Sequence, residues 1–229
     1  MIMTSIKENI ERVRQKIDAA AERSGRSLKD ITIVGVTKSA AVEQILEAQQ
    51  AGIGFFAENR VQDAEVKVPQ VQAEWHMIGH LQTNKIKTAL GLFQCVQSVD
   101  SVRLAKELNE ALLPDNRVLP VLLEVNISGE KQKFGFEPME IYSAVDEIKP
   151  LTQLFVQGVM GIAANSEDPE VRRASFKTLK GLFTVLKSMK SERFEMKHLS
   201  MGMSDDFEIA VEEGSNMLRL GRALFKEKK

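Results

Sequence analysis

Ile31-Thr-Ile-Val-Gly-Val-Thr-Lys38, Val42-Glu-Gln-Ile-Leu-Glu-Ala-Gln-Gln50 and Gly54-Phe-Phe-Ala57 follow one another in a single short stretch. The first is a brief apolar run rich in β-branched residues, the second has apolar residues at helical spacing, and the third is again short and apolar. Strand, helix and strand in that order form the unit from which parallel sheets are built.

The alternation continues to the end of the chain. Strands are expected at 31–36, 54–57, 74–78, 93–98, 118–126, 154–160, 195–199 and 216–220, with helices at 42–50, 61–68, 83–90, 101–113, 138–148, 169–189 and 205–213. Ahead of them Ile6, Ile10, Val13, Ile17 and Ala21 lie on one helix face that stops near Ser24-Gly25. Eight strands alternating with helices in 229 residues argue for a single (β/α)8 TIM barrel with an extra N-terminal helix, one domain spanning 1–229. An open doubly wound sheet is the rival topology. Gly214 suits a helix C-cap, and Ser204 with Asp205 and Asp206 suits an N-cap and an acidic first turn.

Lys and Arg number 31 against 32 Asp and Glu, a formal charge of -1, so there is no global field to hold a nucleic acid. The one cysteine, Cys95, lies in the apolar run Leu92-Phe-Gln-Cys-Val96, which excludes an internal disulfide and suggests a buried, inert thiol. A reducing cytoplasm fits. The opening Met1-Ile-Met-Thr-Ser-Ile-Lys-Glu-Asn9 lacks the basic start and apolar stretch of a signal peptide, and no run approaches the roughly 18 apolar residues of a membrane span. A soluble chain without a membrane partner is expected.

On a barrel, function sits where the strands end at their C-termini. Lys38, Glu58-Asn59-Arg60, His80, Asn126, Met160, Ser200-Met-Gly-Met-Ser204 and Arg219-Leu-Gly-Arg222 fall there. A lysine entering a barrel mouth is partly desolvated, which leaves more of it as the nucleophilic amine; a solvated or ion-paired lysine is the alternative. The segments after strands seven and eight occupy the usual phosphate corner, where glycines admit the backbone and the Ser200 hydroxyl adds a donor. Gly202 and Gly221 also suit plain tight turns. Arg219, inside a strand, needs a partner: a carboxylate such as Glu58 or Asp206, or a ring nitrogen of a ligand. Together these residues suit a Schiff base to a phosphorylated aldehyde.

His76 and His80 stand four apart, a metal spacing only on a helix, whereas their segment reads as a strand. No metal site is expected; His76 is assigned to the core and His80 to the mouth. Tyr142 and the stripe Phe176, Leu179, Phe183 and Leu186 are assigned to packing.

Val36-Thr-Lys-Ser39, Phe56-Ala-Glu-Asn-Arg-Val-Gln-Asp63, Trp75-His-Met-Ile-Gly-His-Leu-Gln-Thr-Asn-Lys85, Glu124-Val-Asn-Ile127, Lys133-Phe-Gly135, Gly158-Val-Met160, Ser200 to Asp206 and Arg219 to Arg222 appear in that order. By these blocks the chain resembles the pyridoxal-phosphate homeostasis proteins, which are similar to the barrel half of alanine racemase, a pyridoxal-phosphate fold of type III. Ala57, Asp63 and Lys226 depart from the residues usual in that family. The resemblance implies pyridoxal 5'-phosphate as cofactor, linked to Lys38 as a Schiff base. It implies that Arg219 faces the pyridine nitrogen, that Ser200 and the Gly221-Arg222 backbone hold the phosphate, and that Asn59 and Met201 line the pocket.

The implied role is intracellular buffering or delivery of the cofactor, to pyridoxal-phosphate-dependent apoenzymes, by a monomer without robust turnover and hence without catalytic residues. The alternative is an amino-acid racemase like alanine racemase. That chemistry takes a tyrosine base from a second β domain, for which no residues remain. A lysine-dependent aldolase on the same barrel is a third possibility. Lys133 and the tail Lys226-Glu-Lys-Lys229 offer further amines for loose capture, or are simply solvated.

Overall fold

The computed structural model describes residues 5–130 and 132–226. The tail lysines 228 and 229, and the start of the opening stretch, lie outside the described residues.

Eight parallel strands close into a barrel in sequence order: β1 Thr32–Val36, β2 Phe55–Glu58, β3 Glu74–Met77, β4 Cys95–Val99, β5 Leu119–Val125, β6 Leu154–Gly161, β7 Phe194–Ser200 and β8 Met217–Leu220. Pairing of β1 with β8, Thr32 opposite Met217 through Gly35 opposite Leu220, closes the ring and excludes the open sheet. Around it run α2 Val42–Gln50, α3 Val61–Lys67, α4 Ile86–Leu92, α5 Val102–Leu112, α6 Ile141–Ile148, α7 Pro169–Lys187, α8 Phe207–Glu212 and a short α9 Arg222–Phe225.

Helix α1, Ile6–Arg23, starts at a capping box in which Ser5 Oγ accepts from the Glu8 amide and Glu8 accepts from the Ser5 amide. It buries Ile6, Ile10, Val13, Ile17 and Ala21, the stripe seen in the sequence. This helix packs on α2, α8 and α9. Asn9 Nδ2 donates to the Leu224 carbonyl at 3.0 Å, and Lys16 and Arg23 pair with Glu208 and Glu212. The extra helix therefore clasps the seam where β8 meets β1.

Alternation along each strand sorts the side chains into two cores. Odd β8 residues Met217 and Arg219 point inward, while Leu218 and Leu220 join the large apolar layer between sheet and helices. Val34, Ala57, Leu122, Met160 and Met217 form the small inner cluster. Trp75, Phe56, Phe93, Phe176 and Phe194 fill the outer one.

The expected elements are all present, with shifted ends. Residues 83–85 form a 3-10 turn ahead of α4, because the helical spacing begins in earnest only at Ile86. The acidic helix starts at Phe207 with Asp206 as N-cap, so Ser204 is not the cap; its hydroxyl instead accepts from the Ala223 amide at 3.0 Å. Gly214 does end that helix, at φ 97°. Cys95, His76, Phe176, Leu179, Phe183 and Leu186 are buried, and Tyr142 packs half-buried against the outer core.

Among the described residues no helix is long and apolar enough to cross a membrane, and no group of three or more His, Cys, Asp or Glu is arranged to hold a metal.

Candidate functional site

Inward-facing residues at the C-terminal ends of the strands surround a cavity of about 480 Å³. Lys38 stands just past β1, Asn59 past β2, His80 past β3, Glu124 and Asn126 at the end of β5, and Arg219 and Gly221 at the end of β8. Met203 and Ser204 come from the loop after β7, Arg222 from the start of α9, and Lys133 and Phe134 from the loop after β5.

Five of the seven expected site residues, Lys38, Asn59, Arg219, Gly221 and Arg222, thus line one cavity. Ser200 and Met201 do not. Ser200 faces inward one layer deeper, fully buried, its hydroxyl donating to Gln97 Oε1 at 2.7 Å and accepting from Arg219 Nη1 at 2.8 Å. With both hydroxyl functions engaged it has no donor to offer a phosphate. Met201, the next residue, points the opposite way and packs in the outer core. The chain reaches the rim only after Gly202, whose φ of 97° turns it, so Met203 and Ser204 take the positions expected of Ser200 and Met201.

Lys38 is exposed at the mouth, and its ammonium has no hydrogen-bond or ion-pair partner among the described residues. The protein alone therefore does not supply the desolvation expected there. Its anchor is firm. Behind it Lys67 Nζ donates to the Thr37 carbonyl and to Glu58 Oε1, each at 2.6 Å, and Thr37 Oγ1 donates to the same carboxylate oxygen at 2.5 Å. Glu58 is fully buried, and its second oxygen meets no donor among the described residues.

At the cavity floor the Arg219 guanidinium is 3% exposed. It donates to Ser200 Oγ and, at 2.9 Å, to the Gly161 carbonyl, and it hydrogen-bonds neither Glu58 nor Asp206. Burial pulls its pKa down to about 10, held up by the charges of Glu124 and Asp206, which leaves it cationic at neutral pH. Glu124 was not singled out as a site residue, yet it is inward-facing, and burial with Asp100 nearby raises its carboxyl to about 7. A lone carboxylate in the apolar strand run 118–126 is the signal that marks it.

The rim carries a second feature. His80 Nδ1 meets Asp100 Oδ2 at 2.6 Å, and its ring stacks on Phe134 with centroids 3.8 Å apart. Lys133 pairs with Glu130 at 2.6 Å and donates to the Ala163 carbonyl, which spans the mouth from β5 to β6. Arg222 pairs with Asp205 beside Ser204.

An exposed amine, a buried guanidinium facing the same space and a hydroxyl beside an arginine at the rim suit an anionic, carbonyl-bearing ligand of small size. Gly221 packs tightly on the end of β1: a Cβ there would stand 3.2 Å from the Val36 carbonyl oxygen.

The sequence profile of the alanine racemase N-terminal domain family matches residues 3–229. A pyridoxal phosphate homeostasis protein of Vibrio cholerae is 36% identical, over 99% of this chain and 98% of its own length. The chain belongs to the pyridoxal phosphate homeostasis protein family. PipY of Synechococcus elongatus PCC7942, solved with pyridoxal phosphate bound, superposes with a TM-score of 0.82 at 27% identity, covering 96% of this chain and all of that one. Alanine racemase of Clostridium difficile 630 superposes with a TM-score of 0.73 at 17% identity, which establishes a shared barrel. That match covers 96% of this chain and 55% of the racemase chain.

Proposed function

We propose that this chain holds pyridoxal 5'-phosphate at the mouth of its barrel, covalently through the Lys38 amine, and serves homeostasis of the cofactor by buffering or delivering it. The observation that carries this is the convergence of Lys38, Asn59, Arg219, Gly221 and Arg222 on one cavity. Relatives named for that role and a cofactor-bound PipY support it. When bound, the cofactor supplies an electrophilic aldehyde and an electron-withdrawing ring.

The chain's own residues do the rest. Lys38 would present the amine, Gly221, Arg222 and Ser204 would hold the phosphate, and Asn59 and Arg219 would line the space for the ring. A guanidinium, being a permanent donor, would keep a ring nitrogen that meets it unprotonated, which weakens the ring as an electron sink and disfavours carbanion chemistry. Ser200 acts from below by holding Arg219, and Met201 backs the wall from the outer layer. Recipient apoenzymes, a cytoplasmic location, a monomeric state and a single domain over 1–229 complete the proposal.

Added pyridoxal phosphate is expected to give a yellow absorbance band that borohydride abolishes, with the trapped adduct on the peptide containing Lys38 and none in Lys38→Ala. Labelling confined to other lysines overturns the proposal. Glu124, titrating near neutrality inside the cavity, favours racemization as the second reading. Sustained D-alanine formation from L-alanine, lost in Glu124→Gln, would establish it.

A further inference from the structure

Arg219 does not end at Ser200. A chain of hydrogen bonds continues down the barrel axis. Ser200 Oγ donates to Gln97 Oε1 at 2.7 Å, Gln97 Nε2 faces His76 Nδ1 at 2.7 Å, and His76 Nε2 faces Glu74 Oε1 at 3.2 Å. Arg219, Ser200, Gln97 and His76 are each at most 3% exposed. Glu74 opens into a separate cavity of about 230 Å³ at the opposite end of the barrel, lined also by Cys95, Gln157 and His198.

The two ends force the direction of every bond between them. A guanidinium can only donate, so Ser200 accepts from it and must send its single proton on to Gln97. The amide oxygen is thereby committed, which turns its NH2 toward His76. One proton of that NH2 meets His76 Nδ1 and the amide also reaches Met217 Sδ at 3.4 Å. Nδ1 must then be the bare nitrogen, leaving the proton on Nε2, where it meets an acceptor-only carboxylate. A cation at one end and an anion at the other require the same polarity. Bonds aligned in this way polarise one another.

We propose that Gln97 and His76 are positioning residues for the cofactor pocket: through Ser200 they fix the orientation of Arg219, and a ligand bound at the mouth is felt at His76 near the far end of the barrel. The cofactor assignment made above supplies the ligand, so the test must separate a failure of the relay from a failure of that assignment.

The chain has three histidines, which makes imidazole nitrogen NMR on histidine-labelled protein directly legible. His80 lines the mouth and serves as the internal report of binding, while His76 reports the relay. In the ligand-free protein His76 is expected as the Nε2-protonated tautomer; the Nδ1 tautomer overturns the relay without any ligand or variant. On adding pyridoxal phosphate both His80 and His76 should shift. Movement of His80 with a stationary His76 overturns the coupling. If neither moves, the cofactor assignment is the one that fails, and the relay is judged on the tautomer alone.

In Gln97→Leu the His80 shift should remain and the His76 shift disappear, with cofactor retention weakened about tenfold, the scale of one hydrogen bond to a charged group. His76→Phe should weaken retention similarly. His76→Asn, which keeps an oxygen acceptor facing Gln97, should restore most of it. Equal loss in the Phe and Asn variants would assign His76 to packing only.

Discussion

Replacing Glu124 with glutamine should stabilise the ligand-free protein, and only above mildly acid pH. The carboxyl is 8% exposed. Burial, then the charge of Asp100, raises its pKa from 4.5 to about 7 against the pull of Arg219. A group raised in the folded state holds its proton more tightly there than in the unfolded chain. Between 4.5 and about 7 the folded state therefore binds more protons, and stability falls as pH rises through that window. Below it the cost is absent, and above it the cost is complete. At roughly 1.4 kcal/mol per pKa unit the full cost is about 3 kcal/mol. A typical domain is stable by only about 5–15 kcal/mol. Glutamine keeps the shape and removes the titration. Urea unfolding of both proteins should give unfolding free energies differing by less than about 1 kcal/mol near pH 5 and by about 3 kcal/mol near pH 8, the variant ahead. A gap independent of pH, or a wild type ahead near pH 8, would refute the reasoning.

Lys67→Met removes the cation from a fully buried Glu58 and should cost about 3–5 kcal/mol by urea unfolding, with Glu58→Gln in the same chain recovering most of it. Lys38→Ala should unfold within about 0.5 kcal/mol of wild type while losing covalent capture, because the side chain is exposed at the rim. Cys95, its thiol pushed far up by burial, should ignore a bulky thiol reagent in the native protein even in alkaline buffer and react once urea unfolds the chain. Gly79→Ala would drive a Cβ into the Asn59 carbonyl oxygen; reduced cofactor retention in a titration is expected, since the loop carrying Asn59 must move.

The barrel was legible because each strand is short and apolar and each helix amphipathic, so local pattern and global topology agree. The site was legible as far as position along a strand decides it: Lys38, Asn59 and Arg219 all occupy inward, strand-end places. Depth was harder. Ser200 is inward but one layer down, and Met201 is outward, because β7 runs to Ser200 before the turn at Gly202. The register of β7 on β8, which sets Ser200 beside Met217 and so one inward layer below Arg219, is what separates them. Partners that meet only on folding left no local trace: the sequence offered Arg219 either a carboxylate or a ligand's ring nitrogen, and within the protein it meets a hydroxyl and a backbone carbonyl from other strands. His80 with Asp100 and the stacked Phe134 are joined across three loops, far apart in sequence.

The brace of Thr37, Glu58 and Lys67 ties down the backbone that bears Lys38, while the amine itself stands exposed to water without a partner among the described residues. A cargo attached to such an arm is loaded and unloaded without any part of the scaffold having to breathe. Exchange should then keep the tempo of imine chemistry, and a viscous or stiffening solvent that slows structural opening elsewhere should leave it unhurried and undelayed alike.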